Sequence, residues 1–432
     1  MSAGINGPDH LAQAPAAWTW RALFTVACLG VTAGVQMSDM GLQALSLSAI
    51  QRSFEVSDAM LGALQGLAGV LIGSAIAIPL ARFADRFSRR RVLLCLILAS
   101  TAMMVLSALA PNFPLFFLGR SAASITEFAM VPLVYSMIPD LAPERHRVAA
   151  NLGFAALVAI GASSGFYFGA ALIELADGLI ALTVEPWRKA FLLLSMAGVP
   201  LFLLALLTVD PPRHAVGGDA GAHASLLQFL RQRWQAVALF VGVAGCLMIG
   251  VQSLNQLITL ALERRFSADL GPLGRAMGWI VLLTTVGCLP VAGLLDRWLG
   301  RYFGRAARPL IMGAGSVAAL PCVALLGMVA SLDQALVAVA LCLFVTCVSN
   351  ALVPTMLQDL APAVLRARSF AIWSFVVSVF CAIGPLVAGA LSDWLLQRHL
   401  LHAIVMTAIP ALALSALCAA CYFLQMRRAM GS

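Results

Sequence analysis

Charge is what this sequence has least of. Asp, Glu, Lys and Arg make up 11% of its 432 residues while 61% are hydrophobic, against about 25% charged residues in an ordinary soluble domain. So little charge cannot keep several soluble domains dissolved, and the bilayer is the solvent that fits. A dense basic block is also missing: the net charge of +8 is scattered between apolar runs, which excludes nucleic acid as a partner. The first twenty residues have neither a basic nor an apolar leader region and read as a short tail, not a signal peptide.

Reactive clusters are absent too. All ten cysteines lie in or beside apolar runs, where they act as small hydrophobes and imply no disulfide framework. Cys418 and Cys421 form a C-x-x-C without the second pair that a zinc site needs. The six histidines fall in tails, loops or near span ends, so neither a metal nor any other cofactor is expected. No H-E-x-x-H or nucleotide-binding loop occurs, and the one G-x-S-x-G, Gly161 to Gly165, lies inside an apolar helical run and not at a strand-to-helix turn, which argues against a membrane enzyme and against ATP-driven transport.

What the chain does have is apolar length. A membrane-spanning helix needs about 20 apolar residues. Runs bounded by Arg, Pro and Asn predict an all-α polytopic membrane protein with twelve such helices. They fall near 21–49, 57–84, 91–110, 113–139, 147–174 and 187–209, then near 234–262, 271–295, 308–330, 333–358, 367–395 and 401–426. The expected organisation is a tail (1–20), a six-helix half (21–209), a linker (210–233), a second six-helix half (234–427) and a tail (428–432). Pro211, Pro212, Gly217, Gly218 and Gly221 mark the linker. Alternate connections carry 19 basic residues on the side of the termini and 7 on the other, with Arg120 alone inside a span. By the positive-inside rule both termini are expected in the cytoplasm, and the protein in the inner or plasma membrane.

The halves repeat each other. Asp140 to Pro143 (DLAP) recurs at Asp359 to Pro362, an offset of 219. Asp85 and Arg86 recur as Asp296 and Arg297, an offset of 211, at the ends of helices 2 and 8. The series Gln36, Asp39, Gln43 in helix 1 matches Gln252, Asn255, Thr259 in helix 7, an offset of 216. Two six-helix halves related by an axis along the membrane normal, with the site between them, form a transporter architecture.

The stretch from Leu80 to Arg91, with Asp85, Arg86, Arg89 and Arg90, resembles the G-x-x-x-D-R-x-G-R-R signature between helices 2 and 3 of the major facilitator superfamily; Ala81 and Ser88 stand in its glycine positions. More narrowly, Leu61, Gly62, Gln65 and Gly66, Gly119 and Arg120, Glu127, Pro132 and Asp140 are similar to the spinster-like branch, although Met40 follows Asp39 where that branch commonly has Arg. The resemblance implies secondary transport, a proton-titrating Asp and Glu and, in some members, lysolipid-like substrates. Drug-proton antiporters of the superfamily typically carry Gly-Pro in helix 5, whereas Phe166 follows Gly165 here and Gly384 and Pro385 lie in helix 11.

An ionised group at membrane depth costs about 2.5 to 3.5 kcal/mol on insertion scales and is a functional candidate by default. Asp39, Arg120 and Glu127 qualify. Arg120 and Glu127, seven residues apart, share one helix face. One cation can therefore serve either carboxylate while the other takes a proton; a static pair joining helices 1 and 4 would use the same residues. Gln252, Asn255, Gln256 and Thr259 form one helix-7 stripe, and with Gln36, Gln43, Asn350 and Trp373 they are the substrate-binding candidates. Amides joining helices by hydrogen bonds would look the same. Close approach is expected at Gly161, Gly165 and Gly169 in helix 5. Asp85, Arg86, Arg89, Arg90 and Asp140 in one half, and Asp296, Arg297 and Asp359 in the other, are the gate candidates, placed to bridge the halves when the cytoplasmic side is closed.

The expected function is a proton-coupled secondary transporter of a small organic or amphipathic solute, lysolipid-like ones included, acting as a monomer in the lipid bilayer by alternating access. A facilitative uniporter, an organic-anion carrier using Arg120, a drug-proton antiporter and a nontransporting receptor are the alternatives.

Overall fold

The computed structural model describes residues 19–76, 87–143, 146–209, 226–360 and 366–431. Every regular element among them is helical. The first half runs α1 (Trp20–Phe54), α2 (Asp58–Ile76), α3 (Arg89–Ala108), α4 (Phe113–Leu141), α5 (Arg147–Tyr167, continuing as Gly169–Leu179) and α6 (Pro186–Ala205). The second runs α7 (Trp234–Phe266), α8 (Leu270–Phe303), α9 (Ala307–Leu326), α10 (Leu332–Leu360, broken after Asn350), α11 (Arg366–Trp394) and α12 (Leu400–Gly431).

Ten stretches are long and apolar enough to cross a bilayer, one of which, Leu270–Leu326, holds two successive helices. The remaining span, α4, has the length at 29 residues and carries Arg120 and Glu127.

Local sequence sets the helix ends. Ser57, Ser88 and Asn112 cap α2, α3 and α4 by accepting from the backbone N–H groups of Met60, Arg91 and Leu115. α1 and α7 end at Glu55 and Ser267 in the left-handed region, φ 51° and 49°. Several helices outrun their apolar runs: α1 continues to Phe54 and α8 to Phe303. The linker expected over 210–233 contains a short helix, Leu226–Gln232. The predicted end of helix 2, with Asp85 and Arg86, lies outside the described residues.

Within the first half α1 lies directly on α5, with Gly34 against Gly161 and Gly165 against Ser38. A side chain at either α5 glycine would strike the α1 backbone, so the four-residue spacing gives the close approach expected of it. Between the halves α2 packs on α11, where Gly62 and Gly66 sit under the carbonyls of Pro385 and Ala382. α5 meets α8 at the same end of the bundle, and Ser163 Oγ donates to the Gly278 carbonyl at 2.8 Å. Of the stretch of α2 that meets α11, Leu64–Ile72 winds as a π-helix, a distortion frequent at functional sites.

The sequence repeat has a structural counterpart. Arg89 at the start of α3 pairs with Asp140 at the end of α4, and Arg308 at the start of α9 pairs with Asp359 at the end of α10. Both pairs span 51 residues, and both members shift by the 219 of the DLAP repeat. Each pair joins consecutive spans inside one half.

Candidate functional site

α1 carries Gln36, Asp39 and Gln43 at 6%, 1% and 3% exposure. The glycine contacts that hold its opposite side on α5 leave these residues turned into the bundle. Arg120 of α4, 5% exposed, donates from Nη1 to Asp39 Oδ2 at 2.5 Å, and its guanidinium lies 5.4 Å from the Phe191 ring of α6. Glu127, 3% exposed and two turns further along α4, interacts with both Asp39 and Arg120. Asp39 Oδ1 and Arg120 Nε have no hydrogen-bond partner. The structure thus brings the three ionisable candidates into one buried cluster of two acids and one base.

A chain of amides leads from this cluster to the other half. Gln43 Nε2 donates to Gln65 Oε1 at 2.6 Å, and Gln65 Nε2 donates to the Gln256 carbonyl at 3.2 Å. On α7, Gln252, Asn255 and Gln256 are half-buried and Thr259 is buried. Gln252 Oε1 and Thr259 Oγ1 are without partners, as are Gln36 Oε1 and Gln43 Oε1. Gln65, which joins α1 to α7, was read from the sequence only as part of a resemblance.

Two binding candidates sit elsewhere. Asn350 is exposed where α10 breaks. Trp373 stacks on Phe240, centroids 4.8 Å apart, in an apolar pocket with Leu357 and Leu360.

The charged gate candidates were expected to bridge the halves with the cytoplasmic side closed, and in this conformation their partners are local. Arg89 pairs with Asp140, and Arg90 Nη2 donates to the Leu206 carbonyl. Asp296 pairs with Arg308 at 3.1 Å, and Asp359 pairs with the same arginine. These contacts lie within one half and do not bridge the two, while Arg297 is exposed. The physical reason is proximity: a short turn brings the start of α3 or α9 against the end of its own neighbour. Asp85 and Arg86 lie outside the described residues.

Among the described residues a charged bridge between the halves lies at the other end of the bundle, and its residues were not singled out from the sequence. Asp58, in the first turn of α2, has a fully buried side chain. It accepts from Arg264 of α7 at 2.8 and 3.0 Å, from Gln51 at 2.9 Å and from Ser392 of α11 at 2.6 Å. Asp393 in turn accepts the backbone N–H groups of Asp58 and Ala59 at 3.1 and 2.6 Å. The available signal was three charged residues at the ends of helices 2, 7 and 11 on the side where the positive-inside rule does not require them. Among the described residues no group of three or more His, Cys, Asp or Glu side chains is arranged to hold a metal.

The sequence profile of the Major Facilitator Superfamily matches residues 29–362 and 257–431. An MFS-type efflux pump of Mycolicibacterium smegmatis is 27% identical over 401 residues, covering 89% of this chain and 87% of that protein. A chloramphenicol efflux pump of Mycobacterium tuberculosis is 25% identical over 289 residues, 65% of each chain. Among solved structures, a bacterial homologue of the human lysosomal transporter Spinster, inward-facing and unoccupied, superposes with a TM-score of 0.77 at 19% identity, covering 95% of this chain and 98% of that one. At that identity the likeness is one of fold.

Proposed function

The chain belongs to the Major Facilitator Superfamily, a family of membrane transporters, and from that premise we propose that it is a proton-coupled secondary transporter of a small organic solute. The observation that carries the proposal is the buried Asp39, Arg120 and Glu127 cluster. With both acids ionised the cluster sums to a charge of −1, and one proton on either acid brings it to zero. An uncompensated charge at this depth is costly, so the protonation state of the cluster and the accessibility of the cleft are linked. Arg120 holds Asp39 in this conformation. In our reading it shifts toward Glu127 in the alternate one, and the released acid exchanges a proton.

The excess of basic residues on the side of the termini supports a cytoplasmic position for that side. In that orientation the Asp58 and Arg264 contact seals the outer face, while the cytoplasmic charges pair within their own halves, as in an inward-open state. The efflux pumps among the relatives favour export. The two halves from 21 to 209 and from 234 to 427 then rock about a site supplied by α1 and α4 on one side and α7 on the other.

The test is solute-triggered proton flux in proteoliposomes across a panel of sugars, amine dyes, antibiotics and lysolipids, for the native chain, Asp39→Asn and Glu127→Gln. Flux lost in both variants while solute still binds supports coupling through this cluster. Solute movement without proton flux, unchanged in both variants, identifies a facilitator in which the acids are structural.

A further inference from the structure

Resting on that reading, the polar face between α1 and α7 indicates what the solute must bring. The Gln43 amide is oriented by its neighbours. The Gln256 carbonyl can only accept, so Gln65 turns its NH2 toward it at 3.2 Å. Gln65 Oε1 then faces Gln43 at 2.6 Å and must receive the Gln43 NH2. That leaves Gln43 Oε1 as a buried acceptor with no donor.

Thr259 on the facing helix keeps an uncommitted hydroxyl, able to donate or accept. Thr32, Thr346 and Thr407, buried like it, each donate to a carbonyl one turn back along their own helix. Thr259 is 1% exposed and does not. It lies one turn beyond Gln256, where the amide chain reaches α7. Gln36 and Gln252 present unpartnered Oε1 atoms on the same two helices.

Net charge points the same way. Arg120 is the one basic residue placed inside a span, and two carboxylates already match it, Asp39 at 2.5 Å and Glu127 beside them. The cluster is therefore neutral or negative in either protonation state, and an anion entering this low-dielectric site meets no net positive charge. The unpartnered Arg120 Nε belongs to a guanidinium whose charge is already used.

We propose that the solute bound here is a hydrogen-bond donor of zero or positive charge, with a donor reaching Gln43 Oε1 and a polar group pairing with the Thr259 hydroxyl, and that organic anions are not accepted. This removes the organic-anion carrier among the alternatives drawn from the sequence, which required Arg120 to be free for a substrate.

The experiment measures equilibrium binding by fluorescence anisotropy on the purified full chain in detergent, at one pH and without a gradient. The probes are ethidium, a cation with two amino groups, and fluorescein, an anion of similar size. Ethidium is expected to bind at least tenfold more tightly than fluorescein. Gln43→Leu and Thr259→Val are each expected to weaken ethidium about tenfold, the scale of one hydrogen bond, and a thermal melt shows which variants remain folded. Equal or tighter binding of fluorescein, no binding of ethidium, or ethidium affinity unchanged in both folded variants overturns the proposal. Binding without a gradient does not involve proton coupling. Fluorescein driven by protons in the liposome assay would thus retain the transport reading and discard this one, and ethidium binding without proton flux would do the reverse.

Discussion

Arg264 of α7 holds Asp58 of α2 through two guanidinium nitrogens, at 2.8 and 3.0 Å, across the boundary between the halves. The Asp58 side chain is fully buried while that of Arg264 keeps 28% exposure. The pair is bidentate, and Gln51 and Ser392 occupy the remaining acceptor positions of the carboxylate. Removing one partner of a buried, satisfied pair costs about 3 to 5 kcal/mol, and here the loss falls on one conformation alone, the one in which α2 meets α7 and α11. Asp58→Asn is therefore expected to shift the population toward the state open at this end. A cysteine introduced at Leu61, fully buried at this end of α2, should react faster with an impermeant maleimide in that background than in the otherwise native chain. Unchanged labelling would mean that the glycine packing below, not the charge pair, holds this end closed.

That packing supplies the second prediction. Gly62 and Gly66, one turn apart on α2, lie under the Pro385 and Ala382 carbonyls, where a Cβ at either position would meet backbone that cannot yield. Gly62→Leu is expected to prevent the close approach of α2 to α11 and to abolish transport while the protein remains folded, since each half retains its own packing. Transport should fall at least a hundredfold in the liposome assay with the melting temperature lowered by only a few degrees. A collapse of the melt instead would place this contact in the stability of the whole bundle.

The symmetry of Arg89 with Asp140 and Arg308 with Asp359 gives a paired prediction. Both contacts lie inside a half and join equivalent helix ends. Arg308 also holds Asp296 at 3.1 Å, so it satisfies two acids. Arg308→Ala is expected to destabilise more than Arg89→Ala, on the scale of about 1 to 3 kcal/mol for charged hydrogen bonds, read as the difference in midpoint of thermal unfolding. Neither should alter the maleimide labelling described above, because neither contact crosses between halves.

Much of this arrangement was legible in the sequence because the bilayer enforces it. Apolar length located the spans, and the offsets of 219 and 216 announced the repeat. The Asp39, Arg120 and Glu127 cluster followed from the cost of charge at membrane depth. The seal formed by Asp58, Arg264 and Asp393 did not follow: these residues sit at helix ends, where charge is inexpensive and sequence alone cannot say which ends meet. The partners of the gate arginines in this conformation were not legible for the same reason. The positive-inside rule accounts for their side of the membrane but not for their partners, and Arg89 and Arg308 found theirs one helix away. Trp373 and Asn350 were chosen by residue type without a periodic partner, and their surroundings are an apolar pocket and an exposed break in α10.

The last prediction separates a working cluster from a static brace. If Arg120 only neutralised Asp39, Arg120→Ala would leave two buried acids beside each other, and Asp39→Asn in the same chain would restore most of the lost stability. The coupling measured by a double-mutant cycle would then be large, and Glu127 would have no part in it. A cation shared between two acids gives a different pattern. Asp39→Asn leaves Arg120 to Glu127, so that single change is expected to cost no more than about 1 kcal/mol of stability while it removes solute-dependent proton flux. Arg120→Ala is expected to cost about 3 kcal/mol or more, and restoration should require both Asp39→Asn and Glu127→Gln. The melting temperatures of the single, double and triple variants decide the matter. Full restoration by Asp39→Asn alone would show that Glu127 does not share the cation, and the proposed exchange of partners would fail with it.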